Sequence, residues 1–119
     1  MERALNDAGK PVKGSKVLIV GVAYKGGVAD LREAPALKII RHLRELGAEI
    51  SYHDPHVPQL RGLGLESADL GEAVAAADLV AIITTHPEVD HLALVESAAL
   101  LVDFRGVTRG IEAPNLVRL

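Results

Sequence analysis

The sequence has no cysteine and no tryptophan, and only one phenylalanine and two tyrosines among 119 residues. Without cysteine there can be no disulfide, no zinc–thiolate site and no thiol nucleophile. So few aromatic rings leave no stacking platform for single-stranded nucleic acid. The formal net charge of −3 also has the wrong sign for a nucleic-acid surface, which is usually strongly basic. No apolar run approaches the roughly 20 residues needed to cross a bilayer. The charged opening MERALNDAGK lacks the apolar centre of a signal peptide. These absences lead to the expectation of a cytoplasmic protein with neither a nucleic-acid nor a membrane partner.

What is present is aliphatic: 49% of residues are hydrophobic, nearly all of them Ala, Val, Leu and Ile. That composition suits a buried parallel sheet covered by helices, and the length suits one domain. Short apolar runs predict strands at 17–23 (VLIVGVA), 49–53 (EISYH), 79–84 (LVAIIT) and 100–104 (LLVDF), with a short edge strand at 115–119. Ala36, Leu37, Ile39, Ile40, Leu43 and Leu46 recur at helical spacing, with Pro35 fitting the first turn and Gly47 the stop. Further helices are expected over 2–9, over 69–77 with Ser67 or Asp69 as cap, and from Asp90 or His91 to Ala99. Residues 57–66, with Gly62 and Gly64, read as a loop. Strands alternating with helices imply an α/β fold, a three-layer Rossmann-like domain with a parallel five-stranded sheet. Counting the five strands along the chain, the expected order is 3-2-1-4-5.

The stretch from Lys16 to Pro55 forms one strand–loop–helix–strand unit, and its Gly-rich loop holds Lys25, Asp30 and Arg32. In open parallel sheets, ligands bind where loops leave the carboxyl ends of strands. A cationic loop in that place points to an anionic ligand. Lys25 follows Tyr24, and Gly26 and Gly27 permit close backbone approach. On the residues alone, a solvated Lys25 with Tyr24 as a core lid is the favoured reading. Arg32 offers a planar fork for phosphate or carboxylate, or it pairs with Asp30 to shape the turn. Gly21-x-x-x-x-Gly26 has phosphate-loop spacing without the following Lys-Ser/Thr, and there is no Gly-x-Gly-x-x-Gly, so dinucleotide binding by this unit alone is unsupported.

Ala23-Tyr24-Lys25, Asp30-x-Arg32-Glu33-x-Pro35, Gly47, Asp54-Pro55, Thr84-x-His86 and Asp103-x-Arg105 stand in an order and spacing that resembles the C-terminal, UDP-binding domain of the UDP-glucose and UDP-N-acetylmannosamine (GDP-mannose) 6-dehydrogenase family. The resemblance runs from about Ala4 to Val107. It implies that residues 14–119 are a UDP-sugar-binding C-terminal domain and that 1–13 are the tail of a preceding helix and a linker. It implies Tyr24, Lys25 and Arg105 as substrate contacts and Arg32 as a contact to NAD bound mainly by other domains. Partners would be a UDP-sugar and the N-terminal and central dehydrogenase domains, in an enzyme expected to be a homo-oligomer. The family oxidises the sugar C6 alcohol to a uronic acid through a cysteine and a lysine carried elsewhere. No residue here is therefore assigned a catalytic role, and the isolated chain is expected to be inactive. The sequence departs from the family with Ala34 in place of the usual Ser and Gly26-Gly27-Val28 in place of a Pro and a polar residue. The rival reading is a freestanding α/β nucleotide-binding or regulatory interaction module without catalysis.

Other polar groups carry candidate chemistry. His53, His56, His86 and His91 with Asp54 have the residue types of a metal site, yet His53 lies within a strand and Asp54-Pro55 reads as a turn, so no metal is expected. Thr84, Thr85 and His86 sit where either a ligand's polar groups or the strand end would use them. Asp103 is expected to orient Arg105 or to bind loop amides. Ser15, Ser51, Ser67 and Ser97 have no nucleophile-elbow context.

Overall fold

A computed structural model describes residues 2–23 and 34–118. In chain order the elements are α1 (Glu2–Asp7), β1 (Lys16–Val20), α2 (Pro35–Glu45), β2 (Glu49–His53), β3 (Gln59–Leu60), β4 (Leu65–Glu66), α3 (Leu70–Ala76), β5 (Leu79–Ile82), α4 (His91–Ser97), β6 (Leu101–Asp103) and β7 (Leu116–Arg118). β1, β2, β5, β6 and β7 form one sheet with every neighbouring pair parallel. Its alternating side chains feed two cores. Val17 and Ile19 pack with Leu5, Ile40, Leu43 and Tyr52 on one face. Leu18 and Val20 pack with Val74, Leu94 and Val95 on the other. This is the expected three-layer α/β fold with a parallel five-stranded sheet. Each fully buried aliphatic side chain adds roughly 1.5–3 kcal/mol, so the two faces of β1 alone anchor four.

The strand order differs from expectation. It is β2-β1-β5-β6-β7, which in the five-strand count is 2-1-3-4-5 rather than 3-2-1-4-5. β5 is buried at all four positions, as an inner strand must be, whereas β2 carries Glu49, Ser51 and His53 between its apolar residues and is buried only at Tyr52. The outer edge of β2 is instead met by the chain beyond it: Ser67 bridges Tyr52, and the Ala68 N–H donates to the Tyr52 carbonyl at 2.7 Å. The chain thus runs out from β1 to β2, then back past β1 to β5. The gap between β1 and β5 is the topological switch point, where the doubly wound fold places its ligands.

Residues 57–66 are more ordered than a plain loop. β3 and β4 pair antiparallel around a 3₁₀ turn at Arg61–Leu63, because Val57 and Leu60 bury themselves in the first core and Arg44 holds the Leu63 carbonyl at 2.8 Å. Two-residue strands are too short to leave a periodic signal. The Tyr52 hydroxyl donates to the Val57 carbonyl at 2.8 Å; burial, with Asp54 and Glu66 adding to it, pushes its pKa up to about 12. The helices stand close to expectation. α2 has Pro35 in its first turn, and α3 and α4 are capped by Asp69 and Asp90, which accept from Glu72 N and Ala93 N. No helix among the described residues is long and apolar enough to cross a membrane.

Candidate functional site

Because the sheet is parallel, β1, β2, β5 and β6 bring their carboxyl ends to one rim. The segments that follow meet there. Gly21 N donates to the His53 carbonyl at 2.9 Å, Ile83 N to Val20 at 3.0 Å and Phe104 N to Ile82 at 3.1 Å. β1 stops at Val20, short of the expected Ala23, because the Val22 and Ala23 amides turn to a side chain. Asp54 Oδ2 accepts from Val22 N at 2.8 Å and Ala23 N at 3.2 Å. The same oxygen accepts from His86 Nε2 at 2.8 Å, and Oδ1 accepts from His56 N at 2.8 Å. Asp54 is 1% exposed and His86 equally so. Burial alone would raise the Asp54 pKa, but the Val22 and His56 amides and the His86 ring outweigh it and hold the carboxyl below the ordinary carboxylate range. The Thr84 hydroxyl donates to the Ala23 carbonyl at 2.6 Å, so Thr84 caps a strand end, the second of its two expected roles.

Asp103 organises the neighbouring loop. Its Oδ1 accepts from Arg105 N and Gly106 N, both at 2.9 Å, and its Oδ2 from Thr108 N at 2.8 Å and the Thr108 hydroxyl at 2.6 Å. Burial again works upward on its pKa, and the Thr108 hydroxyl and the three amides bring it below the usual value. Asp103 thus binds loop amides, one of the two roles expected of it. The loop presents the exposed Arg105 at the rim. Tyr24, Lys25, Asp30 and Arg32 lie outside the described residues; the described chain reaches Ala23 and resumes at Ala34.

The histidines divide. His53 Nδ1 donates to the Ala68 carbonyl at 2.8 Å, away from the others. His56 and His86 stack obliquely with centroids 4.8 Å apart, and His56 Nε2 lies 2.6 Å from Glu88 Oε2, an ion-pair distance without hydrogen-bond alignment. One donor atom each from His56, His86 and Glu88 falls within 4.8 Å of the others. Two ligands of a tetrahedral zinc stand roughly 3.4 Å apart, so a cation would have to part the His56–Glu88 contact. His91 is buried beside Asp103, and its Nε2 has no hydrogen-bond partner among the described residues. Burial pushes its pKa down, against the upward pull of Asp103 and Asp90 and with a downward push from His86.

A dinucleotide would call for free amides where the first strand ends. Here Val22 N and Ala23 N are taken by Asp54, so the described residues do not fit an NAD pyrophosphate. At the opposite end of the sheet, a cleft of about 340 Å³ is lined by Glu49, Asp69 and Glu72 against the cation Lys16; that net negative charge disfavours an anionic ligand.

Two roles were missed in the sequence. Asp54 opens a turn dipeptide, and nothing local marks those of its carboxylate partners that lie 31 and 32 residues away. Thr108 did leave a signal, since Asp103-x-Arg-Gly-x-Thr is the composition of a side-chain-closed turn.

Comparison with known proteins identifies the family. Residues 18–110 match the UDP-glucose/GDP-mannose dehydrogenase family, UDP binding domain. The chain is 35% identical over 111 residues to the UDP-glucose 6-dehydrogenase of Rhizobium meliloti (strain 1021), covering 86% of this chain and 25% of that protein. Among solved structures it superposes on an NDP-N-acetyl-D-galactosaminuronic acid dehydrogenase from Methanosarcina mazei Go1 with a TM-score of 0.79 and 26% identity, over 98% of this chain and 26% of that one. The UDP-D-ManNAc dehydrogenase of Pyrococcus horikoshii gives 0.77 and 25%, over 98% and 28%. The chain thus spans about a quarter of the length of these relatives. With the match taking in residues 18–110 and most of the sheet, the chain belongs to the UDP-glucose/GDP-mannose dehydrogenase family and corresponds to its UDP binding domain.

Proposed function

We propose that residues 14–119 form the UDP-sugar-binding C-terminal domain of an NAD-dependent UDP-sugar 6-dehydrogenase, with residues 1–13 belonging to the end of the region before it. The observation that carries this reading is the family match over 18–110, which includes both cation-bearing rim segments. In this reading Tyr24 covers the uridine side of the ligand while Lys25 and Arg105 meet its phosphates, cations matched to an anionic group at strand ends. Arg32 reaches NAD bound mainly by other domains. The N-terminal and central domains supply the cysteine and lysine that this chain's part of the reaction does not include, in a homo-oligomeric cytoplasmic enzyme that converts the C6 alcohol to a uronic acid. The contribution of this chain is to bind and orient the nucleotide.

An amide NMR titration of the chain with UDP, UDP-glucose and NAD tests it. Shifts with UDP and UDP-glucose are expected to cluster at Tyr24–Arg32 and at Arg105. Lys25→Ala is expected to weaken UDP binding by about 1.5–3 kcal/mol, the range for a hydrogen bond to a charged group. Unchanged affinity would take Lys25 out of the site, and an unshifted spectrum at millimolar UDP would count against nucleotide binding by this chain.

A further inference from the structure

The segment that carries Tyr24 and Lys25 leaves β1 through Val22 and Ala23, and side chains from two other strand ends hold both sides of that exit. Asp54, just past β2, takes the Val22 and Ala23 amides. Thr84, just past β5, gives its hydroxyl to the Ala23 carbonyl at 2.6 Å. His86 fixes the Asp54 carboxylate from the far side of the switch point at 2.8 Å, and His56 N holds its second oxygen. Asp54, Thr84 and His86 are all buried, so water does not compete for these bonds. Gly21, at φ 84, lies so close that an added Cβ would meet the Thr84 carbonyl oxygen at 2.1 Å. The exit of β1 is therefore clamped in direction as well as in place. A displacement of about 1 Å at a binding group is enough to cost a large part of its interaction.

We propose that Asp54 and Thr84 are positioning residues for nucleotide binding: they touch no ligand, and they set the path on which the chain leaves β1 toward Tyr24 and Lys25. This rests on the reading that Tyr24 and Lys25 contact UDP. Two features of the clamp are independent of that reading. Its partners come from β2 and β5, the two neighbours of β1 at the switch point. The bonds are also made to the peptide groups of the last two residues before Tyr24 rather than to residues deeper in the sheet.

The test is a double-mutant cycle in this chain, with UDP as the probe and Kd measured by calorimetry. Asp54→Asn keeps the size of the side chain and replaces one acceptor oxygen by a donor, which opposes the Val22 and Ala23 amides if it takes the Oδ2 place and the His56 amide if it takes the Oδ1 place. It is expected to raise Kd for UDP about tenfold alone and less than about twofold in a Lys25→Ala background, because neighbouring groups acting through one contact are non-additive. Equal losses in both backgrounds would mean a general effect on the fold and would overturn the proposal. Thr84→Val, which removes only the hydroxyl that holds Ala23, is expected to give the same coupling and serves if Asp54→Asn does not fold; additivity there overturns the proposal too. A ligand-free readout separates this idea from the UDP reading. Amide shifts spreading from Val22 and Ala23 through Tyr24–Arg32 in either variant support positioning whatever UDP does. Changes confined to residues 22, 23 and the mutated position overturn it.

Discussion

Asp54 and Asp103 are both buried carboxylates at the same rim of the sheet, and among the described residues each accepts four hydrogen bonds. They do different work. Asp103 closes a turn on itself: its donors lie two, three and five residues ahead, in a loop whose Arg105, Val107 and Arg109 face solvent. Asp54 joins three chain segments, reaching back to Val22 and Ala23 and forward to His86. Equal numbers of bonds thus make a local turn in one region and a long-range clamp in the other. The deciding quantity is whether water can replace the acceptor once it is gone.

That difference sets an order of losses. Asp54→Ala takes the acceptor from two inner amides and a buried imidazole, and we expect it to cost about 4 kcal/mol in urea unfolding, since each buried donor that loses its acceptor costs about 1–3 kcal/mol. Asp103→Ala should cost about 2 kcal/mol, since its Arg105 and Gly106 amides are part-buried and can turn to water, leaving only the buried Thr108 donors to be re-satisfied. Equal losses would break the comparison.

The glycines beside the two carboxylates sharpen it. Gly21 and Gly106 both have positive φ, 84 and 76. A Cβ on Gly21 meets the Thr84 backbone at 2.1 Å, whereas one on Gly106 meets only the end of Arg109 at 3.4 Å. Gly21→Ala should therefore cost about 3 kcal/mol or more, where strain and a backbone clash combine. Gly106→Ala should cost about 1 kcal/mol, the left-handed penalty alone. Thermal unfolding of the pair gives the contrast directly, and similar values would show the β1 exit to be more yielding than its contacts imply.

The smallest effect is in the pH profile. Both carboxyls have folded pKa values below the ordinary one, so their stabilisation is complete above an unfolded pKa of about 3.9 and is lost as pH falls through the lower folded value. Each Asn variant should flatten that acid limb. His91 also has a depressed folded pKa, so stability should begin to fall as pH drops below about 6.5, the unfolded value. His91→Gln should remove that earlier slope. A wild-type curve that is flat between pH 6.5 and 5 would show that His91 takes up its proton without cost.

The strands and helices were legible because their signals are local. EISYH at 49–53 was bounded to the residue, and Pro35, Asp69 and Asp90 marked helix starts through rules of the first turn. The strand order was less so, although the polar alternation of β2 against the unbroken apolar run of β5 already distinguished an edge strand from an inner one. The site divided in the same way: Asp103 and its loop lie within six residues, and Asp54 reads by itself as half of a turn dipeptide.

By itself the sequence determined the layered α/β fold, through apolar runs of strand length separated by amphipathic helices. Through its ordered motifs it also determined the family to which the chain belongs. Only the tertiary structure decided that β1 lies between β2 and β5, and hence which loop ends meet. It alone turned Asp54 from a turn residue into the clamp on the exit of β1. The reason is that hydrogen-bond partners 31 and 32 residues apart are chosen by which strands stack side by side, and no local preference along the chain encodes that choice.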